Sequence, residues 1–253
     1  MDSRITLFDE LKAEPFTLAM SSGFFGFFAH AGMLDALMES GLSPARVVGS
    51  SAGALIGGCY AAGMGTEELC ELLFGLSRPD FWDPGVGAGL LKGRKVDKLL
   101  REALPVHEMA ELRVPFSCSA FRLSAGRTVV LDEGDLPTAL RASAAFPGLF
   151  HPVRVDGRLH LDGGIGDRPA FAPLKPGERT LYHHLSMRQP WSLLGKRLQA
   201  PKRPGVIAVD LGELPKLSPF HLDDGPKAWQ IARDRMLRAL ESPSDSVATG
   251  WPR

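Results

Sequence analysis

The sequence predicts an α/β protein built around a mainly parallel sheet, and three observations carry that reading. Two strand-loop-helix units follow one another near the start of the chain. A glycine-flanked pentapeptide, Gly49-Ser50-Ser51-Ala52-Gly53, joins the second strand directly to its helix. Short apolar runs then alternate with segments of helical spacing down to residue 240. With 253 residues the chain can bury a substantial core. No low-complexity linker divides it, so a single domain is expected over residues 1–242, with a disordered tail at 243–253.

The first unit is an apolar strand at 16–20, a turn at Ser21-Ser22-Gly23 and a helix at 27–39 that stops at Ser40-Gly41. The second is a strand at 46–48 and a helix of small residues reaching about residue 62, closed by Gly63 and Gly65. A helix at 67–76 follows. Residues 83–93, with four glycines and a proline, read as a mobile connection, and helical spacing resumes at 96–104. Strands are expected at 115–123, 128–132, 158–161, 180–185 and 205–211, with helices at 136–144 and 226–240.

Lys plus Arg and Asp plus Glu both number 29, so no overall field gathers polyanions and nucleic-acid binding has no global support. Cys59, Cys70 and Cys118 show neither CxxC nor metal-ligand spacing and read as buried thiols of a reducing compartment. Residues 1–15 carry charges of both signs and no continuous apolar run, unlike a secretory signal. No stretch reaches the roughly 18 uninterrupted apolar residues of a membrane-spanning helix. A soluble, cytoplasmic protein is expected.

The chemistry is expected at Ser51. A residue at a sharp strand-to-helix turn is held in a strained conformation, and Gly49 and Gly53 relieve the crowding around it. The hydroxyl is pushed out beside the unpaired N–H groups of the next helix, which favour an oxyanion. Ser51 therefore reads as a nucleophile; the competing reading is a turn whose glycines only serve packing. Asp162 ends the strand at 158–161 and is followed by Gly163 and Gly164, so its carboxylate can approach another backbone closely. It is a natural partner for Ser51, although Asp-Gly turns also use the carboxylate on their own backbone. Ser22-Gly23-Phe24-Phe25-Gly26 can present backbone N–H groups next to Ser51, because neighbouring parallel strands end at the same sheet edge.

These three motifs, in this order and together with Phe27-Phe28-Ala29-His30-Ala31-Gly32 and Ala144-Ala145-Phe146-Pro147, resemble the patatin-like phospholipases. The likeness runs from about Phe16 to Pro169. It implies a three-layer α/β/α sandwich and a Ser-Asp dyad with no histidine between nucleophile and base. By position, Ser51 is then the nucleophile, Asp162 the general base, and Ser22, Gly23 and Phe24 the oxyanion loop; neither metal nor cofactor is needed. The chain departs from the family in that loop. Ser21 and Ser22 replace two glycines and Phe25 replaces a basic residue, a change compatible with function only where the loop needs no positive φ.

The implied reaction is hydrolysis of a lipid or acyl ester through an acyl-serine intermediate, with Phe24 and Phe25 against the acyl chain and Phe27 and Phe28 packing their helix. Two other readings stay open. One is an α/β-hydrolase triad that adds His183, His184 or His221 to Ser51 and Asp162; the other is a silent lipid- or protein-binding module. His30 and Phe81-Trp82 are read as packing groups. Residues 187–203 carry five basic and no acidic residues among apolar ones, a composition suited to the surface of an anionic membrane.

Overall fold

A computed structural model describes residues 5–186 and 199–244. Along the chain lie α1 (Leu7–Ala13), β1 (Thr17–Met20), α2 (Phe27–Glu39), β2 (Arg46–Ser50), α3 (Ala52–Ala61), α4 (Thr66–Gly75), α5 (Arg78–Phe81), β3 (Gly89–Leu91), α6 (Arg94–Ala103), β4 (Phe116–Arg122), β5 (Arg127–Leu131), α7 (Leu136–Ser143), β6 (Gly148–Phe150), β7 (Val153–Val155), β8 (Arg158–Asp162), β9 (Thr180–His184), β10 (Val206–Asp210) and α8 (Gly225–Glu241). Every strand and helix expected from the sequence is present, with ends displaced by two residues at most.

Eight strands form one sheet in the order β10-β9-β1-β2-β4-β8-β7, with β5 also paired to β4. The run from β10 to β4 is parallel. Beyond it, β5 and β8 lie antiparallel to β4, and β7 antiparallel to β8. The fold is mixed α/β with a central, mostly parallel sheet.

Strands β1, β2 and β9 are buried on both faces, whereas β10 at the sheet edge is mostly half-buried. Leu18 and Met20 of β1, Val47 of β2 and Leu181 of β9 join the larger core, to which helices α1 to α4 and α6 to α8 contribute. Ala19, Val48 and Tyr182 point the other way and meet Phe171 and Leu174. Among the described residues, coil rather than helix covers that second face. On the helical side α2 packs closely on α8, because a Cβ at Gly32 would run into the Trp229 carbonyl.

The structure corrects the reading of residues 83–93. Instead of a bare connection, they contain β3, which pairs in parallel with β6 as a separate two-stranded ladder. Asp83 accepts from the N–H groups of Gly93, Arg94 and Lys95 and so caps α6 from a distance. Helix α1 is not among the elements expected from the sequence; a Thr6–Asp9 capping box starts it, and Leu7 and Leu11, four residues apart, bury its inner side. At the other end Pro243 bridges to Thr6 and the Ser244 N–H donates to the Ile5 carbonyl, so the ordered chain passes the expected boundary at 242. The rest of the expected tail lies outside the described residues. Cys59 and Cys118 are buried free thiols, whereas Cys70 is half-buried rather than buried.

Candidate active site

One edge of β4 brings Ser51 and Asp162 together. Strand β2 runs along that edge until Ser50 stands opposite Ser119. Strand β8 arrives along the same edge from the opposite direction and ends with Asp162 opposite Ala120, the next residue of β4. Consecutive strand residues advance by only about 3.3 Å, so the two chains meet head on and both must turn away from the sheet. They turn at Ser51 and at Gly163.

The elbow is strained as expected: Ser51 has φ 53° and ψ −116°, a backbone state few non-glycine residues adopt. Its flanking glycines are required by backbone contacts. A Cβ at Gly49 would lie 2.5 Å from the Ala54 nitrogen, and one at Gly53 would run into the Met20 carbonyl. Gly163 is equally constrained by the Ser119 carbonyl, while a Cβ at Gly164 would sit 2.5 Å from the Ser22 Oγ. Ser50 is fully buried and faces Gly163 rather than the cavity beside Ser51.

The Ser51 Oγ donates to Asp162 Oδ2 at 2.6 Å, and the Gly164 N–H donates to Oδ1 at 2.7 Å. Asp162 is 4 % exposed. Burial pushes its carboxyl up to about 6 against the opposing pull of the Ser51 and Gly164 hydrogen bonds. A carboxylate so desolvated is a stronger base than a free one and is aimed at the hydroxyl it would deprotonate.

Sequence reasoning missed Ser143. At the end of α7, its Oγ accepts from the Ser51 N–H at 2.9 Å and donates to the Ser119 carbonyl at 2.7 Å, which ties the elbow to β4. A serine within an alanine-rich helix carries no local signal for this role.

No histidine bonds to Ser51 or Asp162 among the described residues. His183 Nδ1 lies 2.8 Å from His30 Nδ1, and His30 Nε2 lies 2.8 Å from the Ser21 carbonyl oxygen, on which it donates. Burial lowers His30 to about 4 and His183 well below its usual value, so this buried pair, whose rings meet edge to face, is held neutral and serves packing. His184 meets the Tyr182 hydroxyl, and His221 meets Ser218 in an exposed turn. The geometry gives the triad reading no imidazole.

The loop between β1 and α2 differs from expectation in one donor. The Ser22 N–H is committed to the Arg168 carbonyl at 2.8 Å, which removes it from the set of oxyanion donors. The N–H groups of Gly23 and Phe24 have no partner among the described residues, nor does that of Ala52 at the first turn of α3. Ser21 and Ser22 are accommodated because neither has a positive φ; that conformation falls on Phe25, with φ 54°. Phe25 is held there by ring contacts to Phe24, Phe27 and Phe81.

A cavity of about 850 Å³ opens over Ser51. Phe24, Phe25, Phe27 and Phe81 line it, and an apolar arm runs between α3, α4 and α6 along Leu55, Leu72 and Leu99. Phe27 thus faces the cavity instead of only packing, whereas Phe28 is buried against Gly225. Phe24, Phe146 and Ile165 are exposed at the rim. Most of the basic segment at 187–203 lies outside the described residues. Within it, Arg203 is tied to the Phe171 and Leu174 carbonyls rather than free to meet a surface. Among the described residues no cluster of His, Cys, Asp and Glu could hold a metal ion, and no helix is long and apolar enough to cross a membrane.

Comparison with known proteins matches a patatin-like phospholipase family model to residues 18–174. An NTE family protein of Mycobacterium tuberculosis (strain ATCC 25618 / H37Rv) is 37% identical over 161 residues, which are 62% of this chain and 44% of that protein. The lysophospholipase NTE1 of Mycosarcoma maydis is 24% identical over 221 residues, 82% of this chain and 10% of its own length. The chain therefore spans less than half the length of these curated relatives. VipD from Legionella pneumophila shares the fold, with a TM-score of 0.66 at 17% identity over 91% of this chain and 67% of that one.

Proposed function

The chain belongs to the patatin-like phospholipase family, and from that premise we propose that it hydrolyses carboxylic esters of lipids, with Ser51 as nucleophile and Asp162 as general base. The observation that carries this is the 2.6 Å hydrogen bond from the Ser51 Oγ to a carboxylate that is 4 % exposed. A serine paired in that way inside an apolar cavity is arranged for acyl transfer.

In the proposed reaction Asp162 takes the Ser51 proton as Oγ bonds to the ester carbonyl carbon. The carbonyl oxygen becomes an oxyanion, held by the N–H groups of Gly23, Phe24 and Ala52; each such donor is worth about 3 kcal/mol in comparable enzymes. Collapse breaks the ester C–O bond, and the leaving alcohol takes the proton from Asp162. Water then gives a proton to the same carboxylate, attacks the acyl-serine and releases the fatty acid, returning the proton to Ser51. The acyl chain lies along Leu55, Leu72 and Leu99, where each buried methylene adds about 0.8 kcal/mol. The exposed rim of Phe24, Phe146 and Ile165 suits contact with a lipid surface.

Turnover of a chromogenic acyl ester tests the reading. The wild type is expected to exceed Ser51→Ala by at least about 10³-fold. Equal background rates would leave a silent binding module instead.

A further inference from the structure

The apolar arm of the cavity has a direction and a depth. Along α3 the cavity is lined at Ser51, Leu55 and Cys59. Residues four apart fall on one face of a helix, so the arm follows that face inward from the nucleophile. It stops at Cys59. No residue between Cys59 and Leu69 lines the cavity, although Ala62 and Met64 are buried in the core just beyond. The Met64 N–H donates to the Cys59 carbonyl at 3.1 Å, so the turn out of α3 closes directly behind that residue.

The two facing helices end the arm in the same way. Helix α4 begins after a four-residue turn and leads back to Phe81, whose ring meets Phe25 at the other end of the cavity. Its first turn, with Leu69, therefore lies beside the last turn of α3. On α6, Leu99 and Leu100 line the arm, and Leu104, one turn further, is buried without lining it. Burial deepens along this path: Leu55, Leu72 and Leu99 are half-buried, whereas Cys59, Leu69 and Leu100 are buried. That gradient belongs to a blind end.

Helix geometry converts the stop into a length. Cys59 lies eight residues beyond Ser51, about 12 Å at a rise of about 1.5 Å per residue. Extended polypeptide advances about 3.5 Å over three backbone bonds, so an extended alkyl chain advances about 1.2 Å per carbon. The arm therefore holds about ten carbons. A longer acyl chain seated on the floor would hold its carbonyl short of Ser51.

We propose that Cys59, Leu69 and Leu100 are specificity-determining residues that floor the arm, so that the site prefers acyl groups of about ten carbons to those of about sixteen. The assignment rests on the cavity being the acyl-ester site, and the depth is therefore tested by binding, without turnover.

The affinities of trace radiolabelled 1-alkanols, from hexanol to tetradecanol, are measured by equilibrium dialysis. In the wild type each added methylene is expected to tighten binding about four-fold up to about ten carbons, and less than about two-fold beyond. Cys59→Phe, which raises the floor, should move that break two to three carbons shorter, and Leu100→Phe should move it the same way from the facing helix. Hexanol need not reach the floor, so its affinity within about three-fold of wild type reports that a variant is folded. A four-fold step sustained through tetradecanol overturns the proposal, as does an unmoved break in a variant that still binds hexanol. A break near ten carbons in a protein that turns over no acyl ester would count against the hydrolase reading alone.

Discussion

Two strand-to-helix turns leave the same sheet edge side by side, and they achieve their shapes in opposite ways. The turn from β2 to α3 places Ser51 at φ 53°, and the turn from β1 to α2 places Phe25 at φ 54°. Around Ser51 the glycines face backbone: Gly49 meets the Ala54 nitrogen, and Gly53 meets the Met20 carbonyl. Around Phe25 the glycines face a side chain, since Cβ atoms at Gly23 and Gly26 would chiefly meet the Leu185 Cδ1. Backbone cannot move out of the way without breaking a strand, but a leucine methyl can. The elbow is therefore expected to resist substitution at Gly49 and Gly53, whereas the loop is expected to absorb it at Gly23 and Gly26.

That contrast is most easily broken at Gly53. Gly53→Ala is expected to cost about 3 kcal/mol in denaturant unfolding and at least about 100-fold in ester hydrolysis, because α3 must back away from β1. A variant as stable and active as the wild type would refute the rigid elbow.

A smaller effect separates the two turns by pH. Asp162 must be ionised to act as base, so hydrolysis is expected to fall about ten-fold per pH unit below about 6. Stability moves the other way. The folded carboxyl, at about 6 against an ordinary 3.8, holds its proton more tightly than the unfolded one. Ionisation therefore costs folding free energy that is fully incurred above pH 6 and relieved as pH falls towards 4, on the order of 2–3 kcal/mol. Asp162→Asn should accordingly raise the unfolding free energy at pH 8 more than at pH 4.5. A rate midpoint near 4 would remove the role of burial.

The smallest effect belongs to the loop. Gly23→Ala should shift Leu185, change stability by less than about 1 kcal/mol and lower hydrolysis by less than about ten-fold, with the pH midpoint unmoved. Losses as large as those of Gly53→Ala would erase the distinction between the turns.

What was legible in the sequence follows the same physical divide. Helix α2 and the seven strands expected from apolar runs were readable because burial imposes a period on them. The ladder of β3 and β6 was not, since three-residue strands beginning at Gly89 and Gly148 carry no pattern and are held by pairing. Ser51 and Asp162 stood out through their glycines, but their meeting depends on two strands colliding along β4, which local sequence does not encode. Ser143 was silent for that reason: it acts through a contact far along the chain, to Ser51.

The central claim is that Asp162 activates Ser51 directly. An alkyl fluorophosphonate, which traps an activated serine, tests it by mass spectrometry of the labelled protein and by the rate of labelling at pH 7.5. The adduct is expected on the Ser51 peptide, forming at least about 100-fold more slowly in Asp162→Asn and at the wild-type rate in His221→Ala. An adduct elsewhere, or labelling of Ser51 at an unchanged rate in Asp162→Asn, would contradict the account.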